Sequence, residues 1–481
     1  MSRSKQNVLL VIADDLGKAL GCYGDNTVDT PNIDRLAQDG VVFDNAFAST
    51  ASCSGSRSVI YTGLHTHENG QYGLSHYTHH FMTFDHVETA PGLLREHGYL
   101  TGIIGKIHVG PLSIYPWEVV DESPTRDVTW VAGRAEAFFK TAAEDGRPFF
   151  LTVGYMDPHR DHTRGGFGNG DETVSAEDPL YSSNDVVVPE YLSDIPEVRS
   201  ELAEYYRSIA RVDRGLGLIM KYLKQYGHDQ DTLIMFMSDN GPPFLNSKTT
   251  LYDAGIRLPF VVRQPGVTAA GHNPNLVSYT DILPTILDWA GYQSAPTISS
   301  HSKNSSPPRR GRSFLPIMAK TSLDDAWTRV FGSHTFHEIT NYYPTRFIRS
   351  TRYKYHRNIA WKLDFPFSTD LYASLSWEGM RNVDGPVKIG WRTLEAYIRR
   401  PAEELFDMEK DPREVNNVAG DPAYADVLAS MRQDMEAWQR DTRDPWLFRD
   451  GVSLLEMQGH LDAGLKIPDR FDFDINAPKS K

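Results

Sequence analysis

An uninterrupted apolar run near the start of the chain constrains its fold more than any other feature. Residues 8–12 are all apolar, and Asp14 and Asp15 end the run abruptly. A short apolar run without alternation is typical of a strand buried on both faces, as in a parallel sheet. Thr30 and Pro31 then predict a helix start, because threonine caps helices well and proline fits their first turn. A strand followed by a helix begins an α/β pattern.

The same pattern continues along the chain. Apolar segments predict further strands at residues 102–104, 149–153, 233–237 and 259–262. Apolar residues at helical spacing predict a long helix over residues 198–226. Together these elements predict an α/β fold with a mostly parallel sheet sandwiched by helices.

The last third of the chain has a different pattern. Residues 346–358 alternate basic with apolar side chains like an antiparallel strand, and residues 424–440 place apolar side chains at helical spacing. We therefore predict a larger domain over residues 1–341 and a smaller α+β C-terminal domain, with an antiparallel sheet, over residues 342–481.

Charge and hydropathy exclude two classes of partner. The 481 residues include 63 acidic and 49 basic side chains, and the net charge of −14 repels a phosphate backbone, so we expect no nucleic-acid partner. No apolar run reaches the ~18 residues of a membrane-spanning helix, so we expect no membrane segment. The first residues run into the predicted strand without signal-peptide features, and the two cysteines, Cys22 and Cys53, form at most one disulfide. We therefore expect a cytoplasmic protein.

Four oxygen-bearing side chains come directly after two of the apolar segments. Asp14 and Asp15 follow the first segment, and Asp239 and Asn240 follow the segment at residues 233–237. Open α/β sheets bind ligands beyond the carboxyl ends of their strands, and carboxylate and amide oxygens suit Ca²⁺ or Mg²⁺. Each pair taken alone is more commonly a helix cap or a turn. The two pairs together favour a metal site.

Cys53 lies in the segment Ser-Cys-Ser-Gly-Ser-Arg, ahead of an apolar stretch. With Arg57 one helical turn further on, this cysteine can be a thiolate of lowered pKa. It can also be a small buried apolar residue, which is the more common fate of a free cysteine. The residues themselves leave both interpretations open.

The segment from Cys53 to Arg57 resembles the Cys-x-Pro-x-Arg motif of the formylglycine-dependent sulfatases of the alkaline phosphatase superfamily, with Gly55 in the place of proline. Other sulfatase-like motifs follow in order over nearly the whole chain, at residues 11–15, 62–64, 102–108, 238–241, 404–407 and 411–412. Within the family the chain is most similar to the heparan N-sulfatases (sulfamidases, N-sulfoglucosamine sulfohydrolases), on residues 69–74, 79–81, 106–111, 157–160, 167–170, 331–333 and 337–338.

The resemblance implies an alkaline phosphatase-like fold, with residues 1–341 as the catalytic domain, and a specific nucleophile. A formylglycine-generating enzyme would oxidise Cys53 to formylglycine, whose hydrate is the nucleophile: one hydroxyl attacks sulfur, and the second then expels sulfate. The resemblance also implies one Ca²⁺ or Mg²⁺ ion, with ligands from Asp14, Asp15, Cys53, Asp239 and Asn240.

Further roles follow from the same resemblance. Three cations would offset the negative charge of the sulfate group, namely Arg57, Lys106 and Lys248. His159 would protonate the leaving group, and His108 would take up the proton of the elimination. The substrate pocket would include His79, His80, His337 and Glu338. The implied substrate is a sulfated saccharide, with the N-sulfate of glucosamine first, and the implied assembly is a homodimer.

Three other functions stay open at this point. The shared site binds sulfate while other parts of the chain choose the sugar, so an O-sulfatase on another sulfated glycan is one alternative. A phosphonate monoester or phosphodiester hydrolase with the same nucleophile is a second. If Gly55 prevents the conversion of Cys53, the chain would be a non-catalytic protein that binds sulfated sugars. A phosphatase with two zinc ions is disfavoured, because Asn240 stands where such enzymes need histidine.

Overall fold

The computed structural model of the protein describes residues 6–171, 174, 178–268, 271–292, 305–447 and 459–465. The strands, in chain order, are β1 (Asn7–Ala13), β2 (Val41–Phe47), β3 (Leu100–Gly105), β4 (Val119–Glu122), β5 (Phe149–Gly154), β6 (Thr232–Ser238), β7 (Arg257–Leu258), β8 (Phe260–Arg263), β9 (Gly271–Ser278), β10 (Arg329–His334), β11 (Thr345–Ser350), β12 (Tyr353–Asn358), β13 (Lys388–Ile389), β14 (Arg392–Thr393) and β15 (Glu403–Asp407).

The α-helices, in chain order, are α1 (Pro31–Gln38), α2 (Cys53–Thr62), α3 (Thr66–Asn69), α4 (Ala90–Glu96), α5 (Val128–Asp145), α6 (Pro196–Gln225), α7 (Asp253–Ile256), α8 (Ile282–Trp289), α9 (Thr369–Tyr372), α10 (Leu375–Arg381), α11 (Leu394–Ile398) and α12 (Ala425–Asp441). Short 3-10 helices lie at Gly21–Tyr23, Tyr279–Asp281, Leu315–Ile317, Asp325–Trp327 and Pro422–Tyr424. Within the described part of the chain, no helix has the length and apolar character that crossing a bilayer requires.

The main sheet has nine strands, and most of its pairings are parallel. Eight strands follow the order β4-β3-β5-β1-β6-β8-β2-β7, and β9 pairs with β2. β1 is parallel to β5 and β6, β3 is parallel to β4 and β5, and β2 is parallel to β9. The pairs β6–β8, β2–β8 and β2–β7 are antiparallel. The predicted mostly parallel sheet is confirmed.

Strand β1 shows why its sequence is apolar throughout. Leu9 and Val11 pack into one apolar cluster with side chains of α1, α5 and α6, whereas Val8, Leu10 and Ile12 pack into a second cluster with α2, α4 and α8. Successive side chains of a strand point to opposite faces, so a strand between two helical layers needs apolar residues at every position. The predicted sandwich of helices around the sheet is confirmed.

A second sheet of four antiparallel strands, in the order β10-β11-β12-β15, lies in the C-terminal part of the chain. Helix α12 covers it, with Leu428, Met435 and Trp438 packed against Ile348 and Tyr355. The single strand predicted over residues 346–358 is in fact the hairpin of β11 and β12. The sheet begins with β10, ahead of the boundary predicted after residue 341, and the position of that boundary stays a prediction.

Candidate active site

The carboxyl ends of β1 and β6 bring four predicted metal ligands to one place. Ala13 of β1 lies opposite Ser238 of β6, so the residues that follow the two strands meet at the same edge of the sheet. The backbone N–H of Asp15 donates to Oδ1 of Asp239 (3.2 Å), and Nδ2 of Asn240 donates to Oδ1 of Asp15 (2.6 Å). These contacts fix the two strand ends relative to each other.

Cys53 completes this cluster from a different element. It is the first residue of α2, and its Sγ lies 3.8 Å from Oδ1 of Asp15. One possible ligand atom from each of Asp14, Asp15, Cys53 and Asp239 lies within 4.8 Å of all the others, and all four side chains are buried. Three of the four residues that the sequence pattern predicted as ligands, and Cys53, which the resemblance added, therefore lie within reach of one ion.

The oxygen atoms of the cluster fit a divalent cation. Oδ1 of Asp14 and Oδ1 of Asn240 are buried and have no hydrogen-bond partner among the described residues. A buried oxygen without a partner is costly, and such atoms usually bind a donor, a water molecule or an ion. Hard oxygen ligands of this kind suit Ca²⁺ or Mg²⁺ better than zinc.

The carboxyl groups of Asp14 and Asp239 lie close together, so ionisation of one opposes ionisation of the other. Burial and the negative charge of Asp14 raise the pKa of Asp239 to about 8. Burial also acts against ionisation of Asp14, but the positive charges of Lys106, His159 and Arg57 outweigh it and hold the pKa of Asp14 well below its usual range. A divalent cation between the two carboxylates would offset this repulsion.

The thiol of Cys53 is not an activated thiolate. Burial and the negative charge of Asp14 raise its pKa well above the usual value. Only the thiolate form is a good nucleophile, and this shift favours the thiol form. Of the two interpretations left open by the residues, the raised pKa favours the small buried residue over the thiolate of lowered pKa.

Arg57 lies one turn along α2 from Cys53 and is fully buried. Its Nε donates to Oδ2 of Asp239 (2.8 Å), and its Nη1 donates to the backbone oxygen of Lys106 (3.3 Å). Its Nη2 lies 3.8 Å from Oδ1 of Asp14, too far for a hydrogen bond, and has no hydrogen-bond partner among the described residues. The guanidinium group thus keeps one donor available for an anion.

Lys106 and His108 follow strand β3, whose neighbour β5 pairs in turn with β1. The Nζ of Lys106 forms a short ion pair with Oδ2 of Asp14. Nε2 of His108 lies 2.7 Å from Nδ1 of His76. Burial and the positive charge of Lys106 lower the pKa of His108 well below its usual value, so the imidazole is neutral.

Lys248 is the centre of a second group of charges. Its Nζ donates to Oδ2 of Asp15 (2.8 Å) and to Oδ2 of Asp370 (2.7 Å), and lies 3.1 Å from Nε2 of His159. Burial lowers the pKa of Lys248, but the carboxylates of Asp15 and Asp370 outweigh burial and hold that pKa well above its usual value. The other ring nitrogen of His159, Nδ1, lies 2.6 Å from the backbone oxygen of Arg160, which leaves Nε2 as the nitrogen that faces the site.

The four residues predicted to line the substrate pocket differ in position. His337 is buried beside the nucleophile segment, with Nδ1 2.9 Å from Oγ of Ser52. Glu338 accepts hydrogen bonds from the backbone N–H and the hydroxyl of Thr369 (3.1 and 3.0 Å). His79 accepts a hydrogen bond from the backbone N–H of Ile339 (3.2 Å), and the neighbouring His80 is exposed.

Two residues of the site were missed by the sequence analysis. Asp370 lies in the four-residue helix α9, and no apolar strand precedes it that would mark it as a ligand-binding position. His76 contacts His108 from a loop whose only signal is a local excess of histidines. Neither side chain has a sequence pattern that distinguishes it from a surface residue.

Comparison with known proteins identifies the family. The family model described as Sulfatase matches residues 6–292. Human N-sulphoglucosamine sulphohydrolase is 37% identical to this chain, and the match covers 93% of this chain and 92% of the human protein. An ulvan-active sulfatase from Formosa agariphila is 30% identical, over 92% of this chain and 81% of that protein.

Solved structures agree with the fold. A protein in complex with its substrate D-glucosamine-2-N,6-O-disulfate has a TM-score of 0.65 and 20% identity, over 92% of this chain and 99% of that chain. A phosphonate monoester hydrolase from Silicibacter pomeroyi has a TM-score of 0.64 and 18% identity, over 92% of this chain and 96% of that chain. The predicted alkaline phosphatase-like fold is confirmed.

The expectation of a cytoplasmic protein is wrong. Relatives of the chain include the human N-sulphoglucosamine sulphohydrolase, mouse iduronate 2-sulfatase (25% identical) and human arylsulfatase A (24% identical), and such relatives are lysosomal or secreted sulfatases. The expectation relied on the first residues of the chain and on its cysteine count, and neither of these defines a compartment.

Fold, side chains and relatives agree on one class of enzyme. Sulfatases are hydrolases of sulfate esters or sulfamates that use a metal ion and a formylglycine. The cluster of Asp14, Asp15, Cys53 and Asp239 offers ligands for such an ion, with a cysteine beside them. With a family match over residues 6–292 and a relative 37% identical over 93% of this chain, the chain belongs to the sulfatase family.

Proposed function

We propose that the protein hydrolyses the N-sulfate (sulfamate) of glucosamine residues in sulfated saccharides, with Cys53 matured to formylglycine as the nucleophile. The observation that carries this proposal is the position of Cys53, which is buried at the start of α2 with its Sγ 3.8 Å from Asp15. The choice of substrate follows the human relative, an N-sulphoglucosamine sulphohydrolase at 37% identity.

Two groups supply the chemistry that unmodified side chains lack. A divalent ion held by Asp14, Asp15, Asp239 and Asn240, with the side chain at position 53 as a further ligand, would polarise a sulfate oxygen. Formylglycine at position 53 would supply, as its hydrate, the hydroxyl that attacks sulfur. We propose Ca²⁺ over Mg²⁺, because a cluster of several side-chain oxygens suits the higher and less regular coordination of Ca²⁺.

The cations of the site bind and orient the sulfate group. Arg57 has a free donor at Nη2, and Lys106 and Lys248 place ammonium groups beside Asp14 and Asp15. Donors that are already fixed in a buried site stabilise developing negative charge without reorganisation. We infer that these three residues hold sulfate in line with the nucleophile.

His159 and His108 move protons in this proposal. Nε2 of His159 faces Lys248, and burial together with that positive charge lowers the pKa of His159. A bound sulfate group would offset the charge of Lys248, so Nε2 can take up a proton and donate it to the leaving nitrogen. We propose that His108, which burial keeps neutral, accepts the proton of the elimination step.

The sugar itself would be bound at the entrance of the site. His337 contacts Ser52, directly before the nucleophile, and Glu338 contacts the segment that carries Asp370. His79 and His80 lie on the loop that reaches residue 339. We propose these four residues as the contacts of the glucosamine ring, with His80 as the most peripheral one.

Two related activities have support of their own. A Bacteroides thetaiotaomicron N-acetylglucosamine-6-O-sulfatase is 23% identical over 92% of this chain, which favours an O-sulfatase as the second candidate. The phosphonate monoester hydrolase from Silicibacter pomeroyi has the same fold. Both would use the same nucleophile, so substrate preference separates them from the first candidate.

The maturation of Cys53 is the first experiment. The protein is produced in a host that has a formylglycine-generating enzyme, and the tryptic peptide of residues 36–57 is weighed by mass spectrometry. We expect the mass of an aldehyde in place of a thiol. An intact thiol in every such host would contradict the proposed chemistry and would leave a protein that binds sulfated sugars without turnover.

The substrate is tested with the matured, metal-loaded protein. N-sulfoglucosamine, glucosamine 6-O-sulfate and a phosphodiester are compared by kcat/KM, with Cys53→Ala as the matched inactive control. We expect the sulfamate to be the best substrate. A preference for the 6-O-sulfate would replace the proposed sulfamidase activity by an O-sulfatase activity. A preference for the phosphodiester would replace it by a phosphodiester hydrolase activity. Light scattering of the same sample tests the homodimer that we propose from the family resemblance.

A further inference from the structure

A cavity of about 280 Å³ is lined by none of the proposed catalytic residues. Five parts of the chain line it: the segment after β1 with Gly17 and Lys18, residues 190–191, the loop after β6 with Pro242 and Asn246, the residues around α7 and β7, and the C-terminal residues 391–392 and 412–415. It therefore lies where the main sheet meets the C-terminal part of the chain.

Three of the cations that line this cavity, Lys18, Arg257 and Arg392, form no ion pair with a carboxylate of the described residues. Nζ of Lys18 and Nε of Arg257 both donate to the backbone oxygen of Asp44 (2.6 and 3.0 Å). Arg392 donates from Nε to Oδ1 of Asn246 (3.1 Å). The positive groups of Lys18 and Arg257 thus share one uncharged acceptor, the backbone oxygen of Asp44. Arg392 contacts the uncharged side-chain amide of Asn246.

The acidic residues that line the cavity are already paired with other cations. Lys354 lies 2.7 Å from Oδ1 of Asp253 and 2.7 Å from Oε1 of Glu414, and Arg413 lies 2.7 Å from Oε2 of Glu190. These pairs neutralise much of the local negative charge. The cavity therefore carries an excess of positive charge within a protein whose net charge is −14.

The pKa of Lys18 is consistent with this excess of positive charge in the cavity. Burial and the positive charge of Arg257 lower the pKa of Lys18 to about 7, although Asp44, Asp253 and Cys22 act in the opposite direction. A buried lysine with a sufficient counter-ion would keep its usual pKa, so its charged form lacks a partner here. An anion beside both cations would supply that partner.

Aromatic side chains give the cavity a second kind of contact. The guanidinium group of Arg392 lies 4.0 Å from the ring centroid of Tyr252. Trp391 lines the cavity and is 58% exposed, which is unusual for so large an apolar side chain. Cations next to an exposed aromatic ring suit a ligand that has an anionic group on an apolar ring face, such as a sulfated sugar.

We propose that this cavity is an anion-binding site, in which Lys18, Arg257 and Arg392 bind a sulfate or carboxylate group. The anion has two possible sources, free inorganic sulfate and a saccharide that carries such a group. In either case the site is separate from the one where sulfate is released, and it would bind product or a neighbouring part of the substrate.

Calorimetry of the full chain, loaded with metal and carrying Cys53→Ala to prevent turnover, tests this proposal. Inorganic sulfate and a sulfated glucosamine disaccharide are titrated separately at pH 7.5. We expect Lys18→Met with Arg257→Gln to weaken binding at one class of sites at least tenfold, while the exposed control Lys140→Met leaves it unchanged. If the double variant loses binding of both inorganic sulfate and the disaccharide, the anion alone is sufficient for binding. If it loses binding of the disaccharide but not of inorganic sulfate, the ligand of the site is the saccharide.

Proton uptake gives an independent readout in the same experiment. Binding of an anion beside Lys18 should be accompanied by proton uptake, measured from the heats in buffers of different ionisation enthalpy. Lys18→Arg should retain binding and lose the uptake, which a merely structural role would not produce. The proposal is overturned if the double variant changes neither affinity by more than twofold. Since no turnover is measured, this result and the outcome of the activity assay are independent.

Discussion

Nζ of Lys248 lies 2.7 Å from Oδ2 of Asp370, a residue 122 positions further along the chain. The same Nζ contacts Asp15, so one lysine links the end of β1 to the short helix α9. The contact makes the charge state and position of a proposed sulfate-binding lysine depend on a distant carboxylate. It also means that the C-terminal part of the chain contributes directly to the site.

Asp370→Asn is expected to reduce kcat/KM for the sulfamate substrate about 10- to 100-fold, the usual cost of losing a residue that orients a functional group. The amide retains the shape of the side chain but removes the charge that holds Lys248. The measurement is steady-state kinetics of the matured enzyme, with the exposed Asp384→Asn as the control. Equal kinetics for the two variants would contradict the role of Asp370.

Asp239→Ala is expected to abolish metal binding and activity together. Its two carboxylate oxygens contact the backbone of Asp15 and the guanidinium of Arg57, so its removal also disturbs both neighbours. Metal content is measured by atomic emission, and activity is expected to fall at least ~10²-fold. The exposed Asp85→Ala serves as control. An Asp239→Ala protein that retains both metal and activity would rule out the proposed metal site.

Gly55→Ala is expected to destabilise the protein. A Cβ at this position would lie 3.0 Å from Cγ2 of Thr50 and 3.3 Å from Cγ2 of Thr66. Alanine favours a helix by about 1 kcal/mol, but overpacking of a buried position costs about 1–3 kcal/mol, and we expect the overpacking to dominate. Urea unfolding gives the difference.

The methyl group of Thr50 provides a rescue for that variant. Its hydroxyl contacts Nδ1 of His334 (2.9 Å), and serine retains this hydroxyl while it removes the methyl group. Thr50→Ser should therefore recover part of the stability lost by Gly55→Ala. If it has no effect in the Gly55→Ala background, the clash is not the cause.

Stability is expected to fall as the pH drops below 6.5. Burial, the largest cause in each case, lowers the pKa of His67 and of His356 to about 4 and that of His334 to about 3. The unfolded chain then binds more protons than the folded one between pH 6.5 and these values. Each residue therefore removes about 1.4 kcal/mol of the free energy of unfolding per pH unit in that window.

Urea unfolding at pH 7 and pH 5 measures this dependence. His356→Gln should flatten it, because glutamine does not titrate, whereas the exposed His162→Gln should leave it unchanged. Buried carboxyls with a raised pKa, such as Asp239, act in the opposite direction over this range, so the test is the difference between the variants. If His356→Gln has the same pH dependence as the unsubstituted protein, His356 is not neutral in the folded protein.

The parts of the fold and site that the sequence predicts are those with a local signal. Strand β1 and its end at Asp14 and Asp15 were predictable, because a change from apolar to acidic residues marks the edge of a buried strand. The hairpin of β11 and β12 was missed, because its turn has neither glycine nor proline. The Oγ of Ser350 instead accepts a hydrogen bond from the backbone N–H of Tyr353 (2.9 Å) and donates one to its backbone oxygen (3.0 Å).

Asp370 and His76 are site residues that no local sequence pattern identifies. Both reach the site through tertiary packing of irregular segments, and their neighbours in the sequence do not show which distant residue they will contact. The pKa of Cys53 is a similar case. A cysteine at a helix start with a nearby arginine leaves the direction of its pKa shift open, and the burial and the charge of Asp14 that raise it come from tertiary structure.

The burial of Cys53 has a consequence for the order of events during synthesis. Its side chain is 1% exposed, and one of the carboxylates in its cluster, Asp239, follows a strand that is made much later in translation. An enzyme that oxidises this cysteine has to reach it before β6 pairs with β1. If Cys53 is matured as proposed, folding and maturation would compete for the same nascent chain, and a host that folds the protein quickly would produce more of the thiol form.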